Sequence, residues 1–178
     1  PLGTLAPDFR LPDTISGQII TLDQIAVGPA LVLMFICNHC PYVKHVQAEL
    51  VRLARDYQPR GVVFAAISSN DVEHYPEDSP QCMKAEAQRA EYPFPYLFAE
   101  TQMVARAYKA ACTPDFYVFD QARRCVYRGR LDGATPGNDL PVDGADLRAA
   151  LDALLEGREV SPDQKPSLGC NIKWKSAS

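Results

Sequence analysis

Cys37 and Cys40 stand two residues apart with Asn38 and His39 between them, and Pro41 follows at once. Two thiols at this spacing close a disulfide with little backbone movement, because the second sulfur folds back within bonding reach of the first. The apolar run from Pro29 to Cys37 ends at the pair, and an amphipathic segment begins after it. A C-x-x-C where a buried strand enters a helix is a redox arrangement: unpaired N–H groups and the helix dipole stabilise a thiolate at the helix start. Cys37 is expected near the N-cap as the exposed nucleophile, with Cys40 as the resolving thiol. His39 would add positive charge beside the sulfurs and make the pair more oxidising. Pro41, in the first helical turn, stiffens it without costing a hydrogen bond.

The other cysteines, Cys82, Cys112, Cys125 and Cys170, are scattered. Cys82, Cys112 and Cys125 lie in helical or strand patterns, where cysteine is a small apolar side chain. Cys170 lies in a polar tail that gives it no packing reason, so it is carried as a third-thiol candidate, with the tail folding back to bring Cys170 or Trp174 to the active face. Cys37, His39, Cys40 and His45 are also zinc-ligand types, but a structural site normally draws on a second pair that is missing here. No metal and no cofactor are expected.

The positioning elements follow from periodicity. Ser16-Gly17 marks the turn of an N-terminal hairpin. Ala30–Ile36 and Val62–Ile67 read as strands buried on both faces. Between them Val43, Val46, Leu50, Leu53 and Tyr57 recur at helical spacing, which makes a βαβ unit with a parallel sheet. Helices are expected from Ser79 to Glu91, Thr101 to Ala110 and Asp143 to Glu156. Tyr92–Phe98 reads as a short strand or link, and Phe116–Phe119 with Cys125–Arg128 as a hairpin.

The chain of 178 residues reads as one domain over residues 1–160 with a tail over 161–178. With 18 basic and 22 acidic residues the net charge is -4, which argues against nucleic acid or an anionic membrane as partner. The longest apolar run is far short of the ~20 residues that span a bilayer. Six cysteines with one close pair suit a reducing compartment. Cytoplasmic placement is expected, and a periplasmic one stays open because the sequence opens on Pro1.

A late Cys112-Thr113-Pro114-Asp115-Phe116 completes a larger pattern. Strand, C-x-x-C, helix, then Thr-Pro opening a late strand resembles the thioredoxin superfamily. Leu5-Ala-Pro-Asp-Phe-Arg-Leu-Pro12 resembles the opening of its redoxin branch, which holds the peroxiredoxins. With Gly169-Cys-Asn-Ile-Lys-Trp174 added, the chain is similar to the peroxiredoxin-like family that carries a thioredoxin-type pair. The resemblance implies an α/β thioredoxin-like fold: a central mixed sheet flanked by helices, extended by the N-terminal hairpin. It implies that Pro114 is cis and that the backbone at Thr113 and Pro114 binds substrate opposite the reactive sulfur. Thiol-disulfide exchange is the expected activity, with protein or small-molecule disulfides and dithiols as substrates, a separate reductant or oxidant, and a monomer or homodimer as the working form. Peroxiredoxins place a proline and a threonine seven and three residues before the peroxidatic cysteine. If Cys40 took that place, Leu33 and Cys37 would stand there instead, which argues against a thiol peroxidase. A zinc-binding or non-enzymatic binding module is the remaining alternative.

Overall fold

The structure, a computed structural model, describes residues 2–176. Strand β1 (Arg10–Pro12) and strand β2 (Ile19–Thr21) form the N-terminal hairpin around Ser16-Gly17. A four-residue helix α1 (Leu22–Ile25), closed by a Thr21–Gln24 capping box, leads to β3 (Ala30–Phe35). Helix α2 (Pro41–Tyr57) runs into a 3-10 turn at Gln58–Arg60 and stops at Gly61, whose φ of 89° suits glycine. Then come β4 (Val62–Ser68), a 3-10 turn at Pro76–Asp78, α3 (Pro80–Ala90) and β5 (Tyr96–Phe98). Helix α4 (Met103–Ala107), β6 (Cys112–Thr113), β7 (Asp115–Asp120), β8 (Cys125–Gly129), α5 (Ala145–Leu155) and β9 (Cys170–Asn171) complete the order.

The central sheet has the order β5-β4-β3-β7-β8. Strand β3 pairs parallel with β4 and antiparallel with β7, so the sheet is mixed, as the motif order implies. Alternate residues of β3 serve opposite faces: Val32, Met34 and Ile36 meet α2, α3 and α5, while Leu31, Leu33 and Phe35 meet α1 and α4. Covering both faces is why this strand reads as an unbroken apolar run. Burial of Val43, Val46, Leu50 and Leu53 on one face of α2, worth about 2 kcal/mol each, fixes the helix against the sheet. The helix expected over Thr101–Ala110 is shorter than its periodicity suggests. Gln102 at φ 66° and Lys109 at φ 58° bracket it with left-handed backbone. Among the described residues no helix is long and apolar enough to cross a membrane.

Candidate active site

The cysteine pair spans the gap between the carboxyl end of β3 and the first turn of α2. Cys40, not Cys37, is the N-cap: its extended backbone precedes Pro41, and its carbonyl accepts from the N–H of Lys44 at 3.0 Å. Cys37 therefore stands outside the helix, three residues upstream. The expectation of an exposed Cys37 also fails, since Cys37 is 1% exposed and Cys40 0%. The physical reason is that the tail covers the helix mouth.

The Thr113-Pro114 peptide bond is cis, as the family resemblance implies. Cys37 Sγ lies 3.5 Å from Thr113 Oγ1, and Cys40 Sγ lies 3.5 Å from the Thr113 carbonyl oxygen. Cys170 arrives from the other side, its Sγ 2.6 Å from Cys40 Sγ. Three thiols thus share one small volume. The Cys37 thiol donates towards Cys40, and this, with the Cys170 thiol, holds Cys40 below the usual thiol range despite its burial. The same hydrogen bond, burial and the Asp78 charge push Cys37 up. Burial and the Cys40 contact push Cys170 up as well.

The residues inside the loop hold its shape. The Asn38 N–H donates to Asp78 Oδ1 at 2.8 Å, its Nδ2 donates to the Glu77 carbonyl, and its Oδ1 accepts from the buried Tyr96 hydroxyl at 2.8 Å. His39 stacks on Tyr75 with ring centroids 5.6 Å apart, and its Nδ1 stands 2.5 Å from Asp78 Oδ2, out of line for a hydrogen bond. Its ring nitrogen thus faces the Asp78 carboxylate. Cys37, His39 and Asp78 place a sulfur, a ring nitrogen and a carboxylate oxygen within 4.8 Å of one another. Of the zinc-ligand types in the sequence, Cys40 and His45 do not join this set. Asp78 also accepts from Asn70 Nδ2 at 2.9 Å on its second oxygen. Asp78→Ala would strand the Asn38 and Asn70 donors in a dry site. A loss of about 3 kcal/mol in stability is expected, read as a lowered midpoint in denaturant titration; a midpoint equal to wild type would contradict this role.

A family model described as the AhpC/TSA family matches residues 2–128. The chain belongs to the AhpC/TSA family. Among solved structures, an uncharacterized conserved protein from Geobacillus kaustophilus is 61% identical with a TM-score of 0.99, covering 100% of this chain and 94% of its own. A hypothetical protein from Sinorhizobium meliloti 1021 is 48% identical with a TM-score of 0.97, covering 99% and 96%. The peroxidoxin BcpB from Mycobacterium tuberculosis is 18% identical with a TM-score of 0.64, covering 88% and 96%, a likeness of fold alone. A comparison with curated proteins found no match. Members of this redoxin branch share the thioredoxin-like fold described above, and the family is in general one of oxidoreductases.

In this AhpC/TSA chain the position three residues before Cys40 is Cys37, and the position seven before it is Leu33, fully buried in the sheet core. Among the described residues no arginine hydrogen-bonds to Cys37, Cys40 or Cys170. Of the other cysteines, Cys112 is half-buried with its thiol pushed up to about 11 by burial, Cys125 is buried and Cys82 exposed. Trp174 lies under the Arg106 guanidinium, 4.3 Å from ring centroid to carbon. Sequence reasoning misses Asp78 and Gln102 and sets Asn70 aside as a loop former. All three are buried, but each sits in a polar loop or cap pattern where such residues ordinarily serve their own backbone. Two signals were present: Ser69-Asn70-Asp71 ends a buried strand beside the pair, and Asp78 precedes the Ser79 N-cap.

Proposed function

We propose that this protein is a thiol-disulfide oxidoreductase that exchanges dithiol and disulfide through Cys37 and Cys40. The observation that carries the reading is the approach of both sulfurs to Thr113, the residue before cis Pro114, at 3.5 Å each. Cys40 is the attacking thiolate and Cys37 the resolving thiol. Cys40 attacks a disulfide to form a mixed disulfide with release of one thiolate. Cys37 then attacks Cys40 and releases the second. The substrates are protein or small-molecule disulfides and dithiols, served by a separate reductant or oxidant. The missing threonine and the lack of an arginine at the sulfurs leave no built donor set for a peroxide, which favours exchange over a peroxidase.

The test equilibrates the full chain with glutathione redox buffers and follows the Cys37–Cys40 disulfide by mass. A reversible two-electron transition is expected in the wild type, with loss of the Cys37–Cys40 bond in Cys37→Ser and in Cys40→Ser. A wild type in which neither cysteine oxidises would overturn the reading.

The cluster of Cys37, His39 and Asp78 favours a second reading, zinc capture by the reduced protein. One equivalent of zinc retained by the wild type and released by Asp78→Asn, which keeps the shape of the side chain, would support it. Equal zinc content in the two proteins would reject it.

A further inference from the structure

The tail is polar enough to remain in solvent, yet it is bound along the active face at the level of its backbone. The Lys173 N–H donates to Asn70 Oδ1 at 2.9 Å, and its carbonyl accepts from the Asp71 N–H at 2.8 Å and from Gln102 Nε2 at 2.9 Å. The Lys175 N–H donates to Gln102 Oε1 at 2.9 Å. The Ile172 N–H donates to the Ala111 carbonyl at 3.0 Å, and its side chain is buried. Asn70 reaches through its other amide end to Asp78, which holds Asn38, so tail and cysteine loop share one hydrogen-bond network. Gly169 makes the approach sterically feasible: a Cβ there would lie 1.9 Å from the Thr113 carbonyl oxygen.

These contacts deliver one sulfur to one place. In the β6–β9 pairing Cys170 lies across from Thr113, and its Sγ is 2.6 Å from that of Cys40. A bond length of about 2.05 Å is then a short sulfur displacement away. Cys37 and Cys40 are closed off, whereas Cys170 is half-buried and so retains a route to solvent. We propose that Cys170 is a third redox-active cysteine: the tail is an intramolecular substrate strand, and Cys40 alternates between a disulfide with Cys37 and one with Cys170. This rests on the exchange reading above and names the partner that the site already holds.

The chemistry balances as follows for a low-molecular-weight disulfide RSSR. On local opening of the tail the Cys40 thiolate attacks one sulfur, the Cys40–SR bond forms, the S–S bond breaks and RS⁻ leaves. Cys170, after passing its proton to the departing RS⁻, attacks the Cys40 sulfur, and the second RS⁻ leaves. The Cys40 thiolate and the Cys170 thiol are oxidised by two electrons, and RSSR is reduced to one thiol and one thiolate. Cys37, passing its proton to the departing Cys170 sulfur, can then attack Cys40 and displace Cys170 as a thiol, with no net electron transfer. In the reverse direction an external thiolate attacks the accessible Cys170 sulfur of the Cys40–Cys170 bond and releases Cys40. Cys170 thereby connects the buried pair to solvent.

The experiment equilibrates the full chain, Cys37→Ser, Cys170→Ser and the Cys37→Ser/Cys170→Ser double variant with oxidised and reduced glutathione. Free thiols are then trapped by alkylation and disulfide peptides mapped by mass. In Cys37→Ser a Cys40–Cys170 disulfide is expected, with glutathione on Cys40 below roughly a tenth of it, since a tethered thiol competes at high effective concentration. The double variant should retain the glutathione adduct on Cys40, and the wild type should show both internal disulfides. Formation of Cys37–Cys40 in the wild type with Cys170 alkylated at every glutathione ratio would overturn the third cysteine and leave exchange standing. Glutathione held on Cys40 beside an alkylated Cys170 in Cys37→Ser would overturn it equally. A wild type with no oxidation at Cys37 or Cys40 would overturn both.

Discussion

Cys40→Ser is expected to lower the rate of disulfide exchange by at least about a thousandfold, the scale on which removal of an attacking group is usually felt. The reason lies in where the thiolate-stabilising groups converge. The Cys37 and Cys170 thiols beside it favour charge on Cys40 against the effect of burial, and Cys40 caps the start of α2. Cys37→Ser removes the resolving step but not the first attack, so it should still yield an initial burst of released thiol. The same geometry sets the pH dependence. An ordinary cysteine below its pKa loses thiolate tenfold per pH unit, so its rate climbs steeply with pH. With its folded pKa depressed, Cys40 is already a thiolate across the neutral range. Its first attack should then be nearly flat between roughly pH 6 and pH 8 and fall only in acid. A rate that rises tenfold per unit through this range, in stopped-flow mixing with oxidised glutathione, would place the charge elsewhere.

Gly169→Ala should have the second large effect, on access rather than chemistry. The added methyl group would meet the Thr113 carbonyl oxygen at 1.9 Å and Pro114 Cδ at 3.2 Å, so β9 cannot keep its place on β6. Both pair sulfurs are buried under the tail, and their reaction with an alkylating reagent requires local opening. Alkylation of Cys40 is expected to accelerate roughly a hundredfold in Gly169→Ala, equivalent to about 3 kcal/mol of lost docking free energy. A rate equal to wild type, measured by mass under native conditions, would show that the tail does not gate the pair. Loss of Cys40–Cys170 disulfide in the same variant would accompany the faster labelling, because Gly169 acts through the placement of Cys170.

Much of the scaffold is legible in the residues. The unbroken apolar strand from Ala30, the three-and-four spacing from Val43 to Tyr57 and the second strand from Val62 specify a βαβ unit by periodicity alone, and β3, α2 and β4 match it within a residue or two. The Ser79-Pro80 pair marks the start of α3 because both residues act locally, the hydroxyl on the Cys82 N–H and the ring on its own φ. The end elements are less legible. Helix α4 has the apolar spacing of a longer helix, but left-handed backbone at Gln102 and Lys109 brackets it, and Gln102 faces the tail, a partner about seventy residues away.

The sequence by itself determined where the candidate site lies: C-x-x-C at a strand-to-helix junction and Thr113-Pro114 opening a late strand are local patterns. Where the helix begins relative to the two sulfurs was decided only in three dimensions. The N-cap falls on Cys40 instead of Cys37, and the thiols beside it come from the cysteine loop and the tail. Cys170 illustrates the same division. Its oddity in a polar segment is visible in the sequence, but its 2.6 Å approach to Cys40 depends on the fit of Gly169 against Thr113 and on amide clamps from Asn70 and Gln102. Such contacts join residues distant along the chain, and no periodicity or spacing encodes them.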